Sequence, residues 1–223
     1  AASSARQTAV PQFVTASGYT EELRVRTKVG DDQASGRVAL LPIGGGDAKW
    51  LKLIPTATVR APPDAPVAGW NDAGPAALVV ATARDYKSRF IHRVDLQGTL
   101  TTIDVLRDTA WILSGCGGTK ACGTALGWFE GERMWFTSEA DGHAHLYTAN
   151  ANGSDKRQQT SGAWEVLDVN VSPDRRTFYL TTSESSPFDA QLYRMSVTGG
   201  PREKLTTAPG SHAVVLSPDG QWF

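Results

Sequence analysis

One pattern recurs along the chain and limits its fold more than anything else in it. Asn170-Val171-Ser172-Pro173-Asp174 opens a unit that runs through Thr177-Phe178-Tyr179-Leu180-Thr181-Thr182 and Gln191-Leu192-Tyr193-Arg194-Met195. A Gly199-Gly200 turn and Lys204-Leu205-Thr206 complete it. Val215-Leu216-Ser217-Pro218-Asp219-Gly220-Gln221-Trp222-Phe223 starts the unit again. One unit upstream, Gly127-Trp128-Phe129-Glu130-Gly131-Glu132-Arg133-Met134-Trp135-Phe136-Thr137 fills the opening slot, and His145-Leu146-Tyr147-Thr148 with Asn152-Gly153 follow in register. The spacing of about 45 residues is that of one four-stranded propeller blade. Because the chain stops inside the repeat, the expectation is a propeller truncated at its C-terminus.

The blades are legible strand by strand. Val166 to Val171 and Phe178 to Thr182 are short apolar and β-branched runs, suited to strands buried between sheets. Ser172-Pro173-Asp174 between them is turn chemistry. In Gln191 to Val197, Leu192, Arg194 and Ser196 alternate with Tyr193, Met195 and Val197, the period of a two-faced strand. Upstream, Val67–Trp70, Leu78–Thr82 and Phe90–Leu96 fill the first three slots of an earlier blade. Arg37–Ile43, the Gly44-Gly45-Gly46 turn and Lys49–Leu53 read as the outer half of another. The expected fold is all-β, a partial β-propeller of four-stranded antiparallel blades with about three whole blades plus partial ones. Its parts are an entry segment (1–36), a partial blade and connection (37–66), a blade (67–109), a blade with a Cys-containing loop (110–165), a blade (166–212) and the first strand of a further blade (213–223). In 1–36, Arg24-Val25-Arg26-Thr27 reads as a strand after an entry loop. A blade cannot bury both faces alone, so the remaining blades are expected outside this chain.

Composition excludes more than it selects. With 22 basic and 23 acidic residues in 223, there is no electrostatic case for nucleic acid or an anionic membrane. No apolar run approaches the roughly 20 residues of a membrane helix. Residues 1–12 lack the basic start and apolar stretch of a signal peptide.

The search for chemistry finds little. Gly-x-Ser-x-Gly, which exposes a nucleophilic serine at a strand-to-helix turn, does not occur. Ser211-His212 and Gly153-Ser154-Asp155 are neighbours in sequence, but triad members meet in space, and both read as turns. His143 and His145 form an H-x-H that would supply half a zinc set, yet no further ligand follows at a supporting spacing. No metal and no cofactor is expected. Glu21-Glu22 is either a solvated loop pair or a holder of a substrate amine. Cys116 and Cys122 flank a Gly-rich stretch flexible enough to bring the thiols together. They form either a disulfide, which suits an oxidising compartment, or two free thiols in a mobile loop.

The motifs also resemble a family. Thr137-Ser138-Glu139-Ala140-Asp141-Gly142 with His145-Leu146-Tyr147, Gln159-Thr160-Ser161-Gly162-Ala163-Trp164-Glu165-Val166, and Leu192-Tyr193-Arg194 resemble the N-terminal propeller of bacterial dipeptidyl peptidase IV-like serine peptidases, in the prolyl oligopeptidase superfamily. Ser17-Gly18-Tyr19-Thr20-Glu21-Glu22 and Lys28-Val29-Gly30-Asp31 look like their linker region. TolB-like propellers share the Ser-Pro-Asp-Gly turn. The resemblance implies a periplasmic or secreted parent whose Ser, Asp and His lie in a C-terminal α/β-hydrolase domain, so this chain holds no catalytic residue. It implies that the propeller gates and positions a peptide substrate, with no nucleic acid or membrane partner; a homodimeric parent is compatible with it. The loop after Trp111 would face the substrate, and there this chain carries Ser114, Gly115 and Cys116. The alternative is a TolB-like protein-binding module with no hydrolase attached.

Overall fold

A computed structural model describes residues 6–25, 28, 31, 38–54, 59–60, 67–83, 86–112 and 125–223. The chain forms two units, Ala1–Gly36 and Arg37–Phe223. The first holds an antiparallel hairpin of β1 (Thr8–Gln12) and β2 (Glu21–Val25), with Val10 opposite Leu23 and Thr8 opposite Val25. The entry loop expected before Arg24 is therefore a second strand, while Arg26 and Thr27 lie outside the described residues. Pro11 hid it: a proline reads against a strand, yet an edge strand tolerates one whose missing N–H faces outward.

The second unit begins with a two-stranded pair, β3 (Ala39–Leu40) and β4 (Lys49–Trp50). Next come β5 (Val59–Arg60), β6 (Val67–Trp70), β7 (Ala76–Ala83), β8 (Ser88–Asp95) and β9 (Leu100–Arg107). Both β5 and β6 pair with β7, giving five strands. The expected four-stranded sheet thus takes an extra piece from the Pro- and Ala-rich segment read as a connection. Two four-stranded antiparallel sheets follow in sequence order. One is β10 (Leu126–Trp128), β11 (Arg133–Ser138), β12 (His145–Asn150) and β13 (Arg157–Gln158); the other is β14 (Val166–Val171), β15 (Thr177–Thr182), β16 (Gln191–Ser196) and β17 (Glu203–Lys204). No helix occurs among the described residues. The architecture is a partial β-propeller.

Turns from first to second strand repeat the same bond. Asn71 donates to Ala76, Phe129 to Arg133, Ser172 to Thr177 and Ser217 to Trp222, backbone to backbone, at 2.8, 3.1, 2.9 and 2.9 Å. In the last two turns a serine hydroxyl also accepts from the chain, at Thr177 N and Trp222 N, both 2.9 Å. Residues 213–223 therefore carry the turn but no assigned strand, because a strand needs a hydrogen-bonded neighbour. A groove of about 300 Å³ lies between Asn170, Val171 and Pro173 on one side and residues 214–217 on the other. Its lining holds no titratable side chain.

Sheets pack face to face. Phe129, Trp135 and Leu146 meet Val169, Phe178, Leu180 and Met195. Leu78, Ile91 and Ile103 meet Met134, Phe136 and Tyr147. Leu53 and Ile54 cover Val79, Ala81, Phe90 and Val94. Each inter-sheet layer buries several large side chains, at about 1.5–3 kcal/mol apiece.

Candidate functional site

Strand direction sends the β7–β8, β11–β12 and β15–β16 loops and the links leaving β9, β13 and β17 to the same end of their sheets. Trp111 sits there, in the link after β9. Asp108 Oδ1 accepts from Ala110 N at 2.6 Å and from Trp111 N at 3.2 Å. Ile112 N donates to Tyr86 O at 2.7 Å, and the Ile112 side chain is buried. The backbone is thus held on both sides of Trp111, whose side chain stands 63% exposed. Ser114, Cys116 and Cys122 lie outside the described residues.

Phe188, in the β15–β16 loop, is 90% exposed. Sequence reasoning passed over it, since a single aromatic in a Ser-rich loop has no periodicity. The only signal was its company, Ser183-Glu184-Ser185-Ser186-Pro187. The loop is anchored: Gly210 N donates to Asp189 Oδ1 at 2.7 Å and His212 N to Ala190 O at 2.9 Å.

The histidines are structural. His145 is fully buried; its Nε2–H donates to Gly162 O at 2.9 Å, and its Nδ1 lies 3.0 Å from the Thr160 hydroxyl. That hydroxyl also accepts from Leu146 N at 3.0 Å, which ties the ring to the backbone of its own strand. His143 bonds Glu165 Oε1 at 3.0 Å, and Glu165 Oε2 accepts from Ala144 N. No cluster of three metal-ligating side chains occurs among the described residues. Trp164 stands edge-on to His145 at 4.8 Å, and Arg202 lies 4.8 Å over its ring. Arg202 in turn grips Glu184 at 2.7 Å. Gly162 has φ +135°, and a Cβ there would fall 2.3 Å from Trp164 Nε1, so only glycine fits under this indole.

Neither of the two sequence-adjacent candidates brings a base onto a nucleophile. His212 Nε2–H donates to Ala208 O at 2.9 Å rather than meeting Ser211. Ser154 Oγ donates to Asn152 Oδ1 at 2.7 Å. Asp155 is taken by Arg133 and Arg157 at 2.8 and 2.7 Å, whose hydrogen bonds hold its pKa below the ordinary 3.8. Glu21 accepts from Ser17 Oγ at 2.8 Å, and Glu21 and Glu22 are both exposed. This end of the sheets can therefore offer contact surface, with aromatic side chains set out from fixed backbone.

Comparison with known proteins gives this arrangement a context. Dipeptidyl peptidase 4 of Porphyromonas gingivalis superposes with a TM-score of 0.73 at 19% identity, over 97% of this chain and 29% of that one. A Bacteroides ovatus protein described as a dipeptidyl aminopeptidase IV gives 0.67 at 13%, over 97% and 32%. An Agrobacterium tumefaciens protein described as TolB gives 0.51 at 18%, over 96% and 68%. At these identities the likeness shows the fold, and the chain spans under a third of the first two proteins. The family model for the dipeptidyl peptidase IV (DPP IV) N-terminal region matches residues 47–223. The chain belongs to the dipeptidyl peptidase IV N-terminal region family.

Proposed function

We propose that this chain is the propeller part of a periplasmic or secreted serine exopeptidase. In this reading it restricts entry to short peptides and positions them for an α/β-hydrolase domain elsewhere in the protein. Family membership over residues 47–223 supports the reading. The observation that carries it is Trp111, exposed at the loop end on a backbone fixed by Asp108 and Tyr86. A rigidly presented aromatic binds a non-reacting part of a substrate, and that binding energy is used to orient the scissile bond. The test is Trp111→Ala in the full-length protein. The expected result is a loss of about tenfold in kcat/KM on dipeptidyl p-nitroanilides, with unchanged labelling by a small fluorophosphonate. Equal loss in both assays, or in neither, removes the positioning role.

A second reading, a protein-binding propeller without a hydrolase, is favoured by one observation. The protein described as TolB is matched over 68% of its own length. A Gly-x-Ser-x-Gly stretch in the reading frame past Phe223 decides for the peptidase, and a short continuation without one decides for the binding module.

A further inference from the structure

We propose that Arg175 and Asp72 form a clasp across the turn end of the propeller, opposite the end that carries Trp111 and Phe188, and that this clasp limits how large a peptide passes along the axis there. Three first-to-second-strand turns, 71–76, 172–177 and 217–222, share one length. In each, the fourth residue donates its N–H to the carbonyl of the first, at 3.4, 2.8 and 2.9 Å. That fourth residue is Gly74, Arg175 and Gly220 in turn. Gly220 has φ +69° and Arg175 φ +60°. Glycine enters this region freely, whereas a side chain is strained in it. Arg175 therefore holds a place that the repeat fills with glycine elsewhere. Strain of this kind persists where the surrounding structure over-determines it, and it clusters at working sites.

The partner shows what the side chain is for. Arg175 Nη2 donates to Asp72 Oδ2, 103 positions away in sequence. Their turns belong to sheets that are not neighbours, because the β10–β13 sheet lies between them in chain order. The turn of that middle sheet is itself tied to the first, with Asn71 Nδ2 donating to Gly131 O at 3.1 Å. Blades radiate from a central channel, so alternate sheets can meet only where their first strands converge on the axis. The acid beside Arg175 is engaged within its own turn: Asp174 Oδ1 accepts from Ser172 Oγ at 2.6 Å and from Arg176 N at 3.1 Å. Arg175 instead reaches past the intervening sheet. The pair spans the end of the axis and narrows it. Both side chains are exposed enough for salt to screen them, so the clasp can open and reclose. Its role as a size filter rests on the peptidase reading.

The test compares cleavage by the full-length protein of a dipeptidyl p-nitroanilide and of a long unstructured peptide with the same N-terminal dipeptide. Fluorophosphonate labelling counts the active sites. Arg175→Gly gives the turn the Ser-Pro-Asp-Gly sequence of residues 217–220 and removes the strain, so the fold is not at risk. The expected result is a rise of about threefold or more in the long-to-short ratio of kcat/KM, with the value for the short substrate unchanged. Asp72→Arg should raise the ratio likewise. Asp72→Arg with Arg175→Asp should restore it, since the charges re-pair and aspartate tolerates this backbone. A ratio unmoved by Arg175→Gly overturns the filter and leaves the peptidase reading standing. A ratio raised by Arg175→Gly but not restored by the exchanged charges overturns the pairing with Asp72. A full-length protein that takes no fluorophosphonate label overturns the peptidase reading, and the filter with it.

Discussion

Two seams join the last three sheets, and they are built differently. Between the β10–β13 and β14–β17 sheets the contact is apolar. Phe129 and Trp135 meet Phe178 edge-on at 5.4 and 6.5 Å, with Leu180 and Met195 buried beside them. Between the β5–β9 and β10–β13 sheets an apolar layer is crossed by charge. Arg89 binds Asp104 at 2.7 Å with both side chains at most 5% exposed. Lys156 reaches Asp104 from the neighbouring sheet at 2.6 Å, and Arg89 donates to Thr137 O across the seam at 2.8 Å. The rings gain mostly from buried area, with a smaller share from their edge-on geometry. The ionic seam is directional, and it depends on every member being present, since a buried ion without its partner costs more than the pair contributes.

The largest expected effect breaks the ionic seam. Burial pulls the Arg89 pKa below its ordinary value, and Asp104 pulls it back up. Asp104→Ala removes that support and leaves a guanidinium buried, at a cost of about 3–5 kcal/mol. Denaturant unfolding measures it. Replacing both partners, with Arg89→Met and Asp104→Leu, should recover most of the loss. A double variant no better than Asp104→Ala would show that the pair does more than compensate its own burial.

The apolar seam should respond in a graded way. Trp164 packs at its margin, against His145 and under Arg202. Trp164→Ala costs on the order of 3 kcal/mol, seen as a lower melting temperature. In a full-length protein, turnover per folded molecule should stay near the parent value. An unchanged melting temperature with weaker substrate binding would move Trp164 from the seam to the substrate cavity. A smaller effect sharpens the comparison at the turns. Ser172→Ala removes the acceptor for Thr177 N and Arg176 N, at about 1 kcal/mol. Ser217→Ala, in the matching but exposed turn, should cost less by the same unfolding assay.

The two seams were unequally legible in the sequence. The Ser-Pro-Asp turns and the alternation in Gln191–Val197 place β14 to β17, because periodicity and turn chemistry act within a few residues. The apolar seam follows, since large side chains at repeat positions must meet one another. The ionic seam did not show. Arg89, Asp104 and Lys156 are brought together only by packing, and the sole local hint was an arginine and a histidine inside the apolar run Arg89-Phe90-Ile91-His92. Val59–Arg60 was equally silent, for two residues carry no period. At the loop end, Trp111 was singled out through family likeness. Its fixed backbone depends on Tyr86, distant in sequence, and composition could not supply that.

The smallest expected effect tests whether a second polar group in the same region behaves as Arg89 does. His92 lies in β8, 5% exposed, with Nε2–H donating to Leu53 O at 2.7 Å and Phe90 stacked on it at 6.0 Å. Burial holds its pKa below the ordinary 6.5, and the bond to Leu53 only partly opposes this. Just below that pH the unfolded chain takes up a proton that the folded chain refuses. Stability from this residue is therefore complete above about pH 6.5 and declines as pH falls toward the folded-state value. The carboxylates with lowered pKa, Asp155 and Asp174 among them, add their own loss only below their ordinary 3.8, so the two windows separate. Unfolding free energy measured from pH 8 to 5 should bend downward below pH 6.5, and His92→Gln should remove the bend while lowering the plateau. A profile flat in the parent chain would mean that His92 ionises without penalty. The buried cation at Arg89 would then be the one, among the described side chains of this sheet, whose charge the packing has to compensate.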